Sequence, residues 1–171
     1  MAIRSTAATQ KAAKNRYYGA SGFSSIKAFF GNYVNFTGRS TRAEYWWVTL
    51  FGFIASILVG FSFVAALIGV IANGSVPKSP SIGWLIATFG IGLLVYLAVM
   101  LLILLPSFAL VIRRFRDAGF PWWVWLALWA LNLVVMLVFG YNSNPSTTVS
   151  LLVNLAILVI TCLPSKPLPT D

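Results

Sequence analysis

The sequence predicts an all-α, polytopic membrane protein, with four transmembrane helices preceded by a short amphipathic interfacial helix. Three observations carry this reading. The 171-residue chain is 59% hydrophobic and only 9% charged, whereas a soluble domain carries about 25% charged residues because its surface must face water. Its mean hydropathy is +0.86. The apolar residues also gather into four long runs separated by short polar breaks, and an α-helix needs about 20 such residues to cross a hydrocarbon core about 30 Å thick. The length suits one membrane domain, residues 23–165, between two tails.

Residues 1–22 are polar, basic and free of acids, with no apolar run that could serve as a secretory signal. They read as a disordered, basic cytoplasmic tail. An acid-free start rich in Ser, Thr and Ala is also the composition of an organellar transit peptide. From Phe23 the pattern changes. Phe23, Ile26, Phe29, Phe30, Tyr33 and Val34 recur at helical spacing, with Ser24, Lys27 and Asn32 between them. This predicts a short amphipathic helix whose aromatic face lies in the headgroup region or packs on the protein's own cytoplasmic end. Gly38 closes that segment.

The four spans are expected over about residues 45–72, 82–112, 122–140 and 147–163. The first two exceed the crossing length, which predicts tilt or projection beyond the core. Pro106, in the second, removes a backbone donor and crowds the preceding turn, predicting a kink. The breaks at 73–81 and 141–146 are short and rich in Gly, Pro, Ser and Asn, as suits hairpins between antiparallel neighbours. Residues 166–171 form a short cytoplasmic tail.

Lys and Arg number 12 against 3 acids, a net charge of +9. With the N-terminus inside, Arg4, Lys11, Lys14, Arg16, Lys27, Arg39, Arg42, Arg113, Arg114, Arg116 and Lys166 all fall on the cytoplasmic side, and Lys78 alone falls outside. Such a bias sets the orientation of membrane proteins, so both termini are expected in the cytoplasm. The aromatics agree: Tyr45, Trp46 and Trp47 open the first span and Trp122, Trp123 and Trp125 the third, at one face, while Trp84 marks the other. Topology accounts for the charge, so no nucleic-acid partner is expected. The lipid bilayer is, with anionic headgroups as a possible ligand.

Histidine is absent and cysteine occurs once, as Cys162. The commonest general base, the commonest metal ligand and any internal disulfide are thereby removed. No catalytic residue, cofactor or metal site is predicted. The polar chemistry gathers instead in two stretches on the cytoplasmic face, GRSTRAEYWW (38–47) and RRFRDAGFPWW (113–123). Together they hold Arg39, Arg42, Arg113, Arg114, Arg116, Glu44 and Asp117. Acids at a membrane boundary are costly to desolvate unless paired. Glu44 is expected to pair with an arginine of the 113–116 segment, and Asp117 with Arg39 or Arg42. One reading makes the cluster a latch between the first, second and third spans. A second gives the surplus arginines to a lipid headgroup or another anion, since the guanidinium fork matches phosphate geometry. A third makes it a substrate gate.

These two stretches resemble the signatures of the domain of unknown function 805 family, small bacterial inner-membrane proteins with a GR-x-x-R-x-EYW opening. The family's second segment carries a Pro-Ser pair, then an Arg pair, an Asp, a Gly and a Trp pair. Pro106, Ser107, Arg113, Arg114, Asp117, Gly119, Trp122 and Trp123 match it here. The resemblance covers about residues 27–165 and implies a multi-pass protein of the bacterial inner membrane, of no established activity. One departure stands out: the family's histidine before the aspartate is Arg116 here, so any proton chemistry done by that histidine is lost.

Within the spans, Asn132 and Asn154 lie near the middle of the third and fourth, where they are expected to bond to each other as packing glue or to line a polar solute site. Gly52, Ser56 and Gly60 form a small-residue stripe at four-residue spacing, expected to let helix backbones approach within the chain or across a homo-oligomer. Three function classes follow: a non-enzymatic accessory, scaffold or lipid-binding membrane component with a protein partner; an oligomeric small transporter or channel; and an enzyme acting on a lipid or isoprenoid phosphate.

Overall fold

The computed structural model describes residues 7–167, apart from positions 75, 78, 80 and 142. Arg4, Lys78 and Asp171 therefore lie outside the described residues, as do the outermost parts of both tails. Among the described residues the fold is all-α. Six helices follow in order: α1 (Ala7–Ala12), α2 (Ser24–Gly31), α3 (Arg42–Ala72), α4 (Ile82–Ala118), α5 (Trp123–Phe139) and α6 (Asn144–Cys162). The helices α3, α4 and α6 are long and apolar enough to cross a membrane. Helix α5 has 17 residues, a length of about 25 Å at 1.5 Å per residue.

Most of the two charged stretches is helix rather than connecting loop, although Arg39 precedes α3. Helix α3 begins at Arg42 rather than Tyr45, and α4 continues through Arg113, Arg114 and Arg116 to Ala118. Loss of hydropathy marks where lipid contact ends, whereas a helix ends where its backbone finds caps. Thr41 caps α3: its Oγ1 accepts from the Glu44 N–H at 3.3 Å. The run Thr41-Arg42-Ala43-Glu44 has capping-box spacing. Helix α4 ends in a Schellman turn, with Gly119 N–H donating to the Arg116 carbonyl at 3.0 Å and Phe120 N–H to the Phe115 carbonyl at 2.9 Å. Gly119 sits at φ +88°, a left-handed conformation that side chains with a Cβ resist. Ser143 caps α6, accepting from the Ser146 N–H at 3.3 Å.

The chain divides into two compact units. One is Thr49–Leu105; the other is the rest of the chain on either side. Helix α4 passes through Pro106, which lacks the helical donor, and the boundary between the units falls at that residue.

In Thr49–Leu105 the apolar side chains of α3 and α4 are almost all exposed, an apolar surface far larger than water tolerates. Its hydroxyls bond inside their own helices: Ser56 to the Phe53 carbonyl at 2.7 Å, Ser62 to Leu58 at 2.8 Å and Thr88 to Trp84 at 2.8 Å. Such local satisfaction suits an apolar solvent. The stripe Gly52, Ser56 and Gly60 does not form the intramolecular seam expected of it. All three residues are exposed, and a Cβ added at Gly52 or Gly60 would meet nothing within 4 Å. A contact between the two helices of this unit is made by Phe63 and Phe89, ring centroids 6.4 Å apart.

In the other unit, Phe115 and Ala118 of α4, Trp125 of α5 and Ile160 of α6 form the core, with Phe108, Val111, Leu128 and Ile157 packed around them. Phe108 and Trp125 meet edge to face at 5.2 Å. The described part of residues 1–22 belongs to this unit and corrects the expectation of a disordered tail. It forms α1 and a series of turns, with Ala13 and Asn15 buried. The Ala13 carbonyl accepts from the Arg39 N–H at 2.9 Å. Low hydropathy suggested disorder, but this segment is held by hydrogen bonds rather than by apolar burial.

Two glycines test this packing. A Cβ at Gly38 would lie 2.7 Å from the Lys14 carbonyl oxygen, a backbone atom that cannot swing aside. Gly38→Ala is expected to destabilise by about 1–3 kcal/mol as overpacking. Gly119→Ala is expected to cost about 1–2 kcal/mol through its left-handed φ. Thermal unfolding in detergent measures both, and an unchanged melting temperature for Gly38→Ala contradicts the docking of residues 13–15.

Candidate functional site

Helix ends leave carbonyls without partners, and the two arginines that close α4 supply donors to the ends of other helices. Arg113 Nη1 donates to the carbonyls of Asn32, at 2.9 Å, and Asn35, at 3.1 Å. These lie at and just beyond the C-terminus of α2. Arg114 Nε donates to the Thr161 carbonyl at 3.0 Å, and its Nη2 donates to the Leu163 carbonyl. Arg42 Nη1 reaches the Cys162 carbonyl at 3.4 Å. The end of α6 is thus closed by cations from α3 and α4, where the helix dipole favours positive charge.

The two acids neutralise this charge. Asp117 Oδ2 accepts from Arg114 Nη1 at 2.8 Å and from the Ser165 hydroxyl. Its Oδ1 accepts from the Tyr18 hydroxyl at 2.9 Å and faces Arg39 Nε at 3.6 Å. Glu44 Oε1 accepts from the Ser40 hydroxyl at 2.9 Å and faces Arg113 Nη2 at 3.6 Å. Glu44 Oε2 accepts from Asn15 at 3.2 Å. The two 3.6 Å contacts are charge pairs longer than a hydrogen bond. Glu44, Arg113, Arg114 and Asp117 are all fully buried. Ionic groups so placed are tolerated only when paired and hydrogen-bonded.

Arg39 binds the C-terminal segment to the same junction. It donates to the carbonyls of Asp117 at 3.2 Å, Lys166 at 3.1 Å and Pro167 at 3.1 Å. The Lys166 N–H returns a bond to the Asp117 carbonyl at 2.8 Å. Burial, and then the charge of Asp117, push the Tyr18 phenol up to about 12, so it stays a neutral donor to that carboxylate across the physiological range.

Both expected pairings are present, Glu44 with Arg113 and Asp117 with Arg39. The nearest partner of Asp117 is Arg114, three residues before it on the same helix. Arg42 does not reach Asp117 but caps α6. Arg116 is half-buried and forms no ion pair among the described residues. Sequence reasoning missed Asn15, Tyr18, Asn32, Ser40 and Ser165. Asn15 uses both amide hydrogens, on the Arg39 carbonyl (2.8 Å) and Glu44, while its oxygen accepts from Asn32 Nδ2 (2.8 Å) and Tyr17 N–H (2.9 Å). Nothing in a polar, basic tail distinguishes this asparagine from its neighbours.

Asn132 and Asn154 do not bond to each other. Both converge on Ser150: Asn132 Nδ2 approaches its hydroxyl at 3.4 Å, and Asn154 Nδ2 donates to its carbonyl at 2.8 Å. Asn154 stands one turn beyond Ser150 on α6, so its own backbone satisfies it before α5 can. The two asparagines line a groove of about 560 Å³ between α5 and α6, with Trp129, Met136, Ser146 and Thr147. No group of three or more His, Cys, Asp or Glu that could hold a metal occurs among the described residues.

The DUF805 family, described as protein of unknown function, matches residues 33–171. The chain belongs to that family. No curated protein and no solved structure matches it. The DUF805 match takes in every arginine and acid of the junction, while Asn15, Tyr18 and Asn32 precede it.

Removing one member of a buried ion pair leaves the other uncompensated, at about 3–5 kcal/mol. Glu44→Gln and Arg113→Gln are each expected to lower stability on that scale, and the double variant to lose less than their sum. A double-mutant cycle by unfolding in detergent measures the coupling; strict additivity contradicts the pairing. Asn15→Ala, which strands the Asn32 amide and one Glu44 oxygen, is expected to cost about 1–3 kcal/mol.

Proposed function

We propose that this DUF805 protein is a non-enzymatic component of the bacterial inner membrane, an accessory or scaffold subunit or a lipid-binding one, whose buried junction latches its helix ends on the cytoplasmic face. The observation that carries the reading is the use made of the arginines. Arg113 and Arg114 are fully buried, and their hydrogen bonds go to backbone carbonyls, Ser40 and Asp117. Charge used in this way builds a rigid platform. Any anionic headgroup is met by Arg42, which is exposed, and Arg116, which is half-buried, rather than by the buried pair.

The same junction supports four crossings. The first residues of α3, the last of α4 and the last of α6 meet in it, so the chain that leaves α4 returns to the same level. Helices α5 and α6, packed as a hairpin, are the leg out and the leg back. At about 25 Å, α5 is close to the core thickness, with Trp122 and Trp123 at one end and Tyr141 at the other as interfacial anchors. The distribution of cations supports a cytoplasmic position for the junction and for both termini.

The groove between α5 and α6 favours a second reading, an oligomeric small transporter or channel, because Asn132, Ser146, Thr147 and Asn154 give it polar groups along two membrane helices. The phosphate-processing alternative gains little support from the junction, where most buried donors of Arg113 and Arg114 have protein acceptors.

Topology reporters test the proposal. Fusions at the C-terminus and after residue 120 are expected to report cytoplasm, and insertions in 73–81 and 141–146 periplasm. A cytoplasmic signal from 141–146 contradicts the four-span arrangement. Purification in native lipid is expected to yield a stoichiometric protein partner or retained lipid; a symmetric ring with a hydrated axis supports the transporter instead.

A further inference from the structure

The helix α2 divides its side chains between two surroundings. Ser25, Ala28 and Phe29 are buried against the protein. Phe23, Ile26, Phe30 and Val34 are 80%, 36%, 47% and 66% exposed. The spacing of three and four residues aligns Phe23, Ile26 and Phe30 in one stripe, and Val34, in the turn that follows the helix, is likewise left uncovered. Exposed apolar surface in water would be unfavourable, yet three features place this stripe at the level of the bilayer surface. Arg113 holds the carbonyls of Asn32 and Asn35, tying the end of α2 to α4 one residue beyond Ile112, where the long apolar run of α4 gives way to Arg113 and Arg114. Exposed Trp46, Trp47, Trp122 and Trp123 stand at the starts of α3 and α5 in the same unit, an aromatic collar of the kind that marks the interface. The charge around the stripe has one sign. Lys11, Lys14, Arg16 and Lys27 are exposed, and no acid precedes Glu44.

We infer that α2 and the turn after it form an interfacial anchor that lays Phe23, Ile26, Phe30 and Val34 into the headgroup–acyl boundary of an anionic leaflet. Lys27 borders the stripe, so its carbon stem lies along the apolar surface while the ammonium reaches the phosphates. The neighbouring cations of residues 11–16 add attraction to negative lipid. Through Arg113 the anchor is coupled to the Glu44 pair, so the depth of α2 and the geometry of the junction depend on each other. This inference rests on the membrane reading above.

Spin labels test both separately. In a Cys162→Ser background, Ile26→Cys, Phe30→Cys and Val34→Cys carry the label on the stripe, and Leu151→Cys carries it on an exposed position of α6. The whole protein is placed in nanodiscs of phosphatidylcholine with or without phosphatidylglycerol, and collision with oxygen is compared with collision with a water-soluble nickel complex. With phosphatidylglycerol, the three stripe labels are expected to favour oxygen several-fold and to lie shallower than Leu151→Cys; in phosphatidylcholine alone they move toward water. Stripe labels that behave as in water, while Leu151→Cys stays in lipid, overturn the anchor and leave the membrane reading standing. Stripe labels shielded from both reagents reveal a protein cover and also overturn it. Equal depth in the two lipids overturns the preference for anionic headgroups. Leu151→Cys in water overturns the membrane reading itself.

Discussion

A guanidinium removed from water must find acceptors, and the structure depends on how Arg113 and Arg114 find theirs. Neither is satisfied by one carboxylate. Each combines an acid with the terminal carbonyls of another helix, Asn32 and Asn35 beyond α2 for Arg113, Thr161 and Leu163 at α6 for Arg114. Helix ends and buried charge are both costly when left alone. Bringing them together satisfies both at once and fixes which helices share a level.

Everything else at this end of the molecule is arranged by that requirement. Glu44 and Asp117 supply negative charge, and Ser40, Asn15, Tyr18 and Ser165 complete their hydrogen bonds. Arg39 then draws in the C-terminal segment through the Lys166 and Pro167 carbonyls. A network bonded at so many points is stiff, because moving any one group strands another in a medium of low dielectric. Thr49–Leu105 is built on a different rule. Its hydroxyls bond within their own helices and its apolar side chains face outward, which asks only for an apolar solvent.

The expectations that failed share one physical cause. The stripe of Gly52, Ser56 and Gly60 suits a seam because small residues permit close approach; permission is not attraction, and no neighbouring atom of the fold comes near Gly52 or Gly60. Asn132 and Asn154 were matched by depth, but an amide finds the backbone of its own helix more readily than a side chain on another. Residues 1–22 carry no apolar run and so suggest disorder, although Asn15 is bonded through all of its polar atoms. In each case composition described what a residue tolerates, and the partner was a backbone group or a distant side chain that no local pattern names.

By itself the sequence determined that the chain is helical, that its long apolar runs are suited to lipid, and that Glu44 and Asp117 would need arginines. Those conclusions follow from composition, from helical periodicity and from the cost of desolvating charge, all of which are properties of residues taken in order. Only the tertiary structure decided that α2 and α6 end on Arg113 and Arg114, that Arg42 caps rather than pairs, and that Asn15 joins the junction from a segment read as tail. Backbone carbonyls are present at every position of every sequence, and only a fold selects the few that remain unpartnered at a helix end within reach of a buried cation.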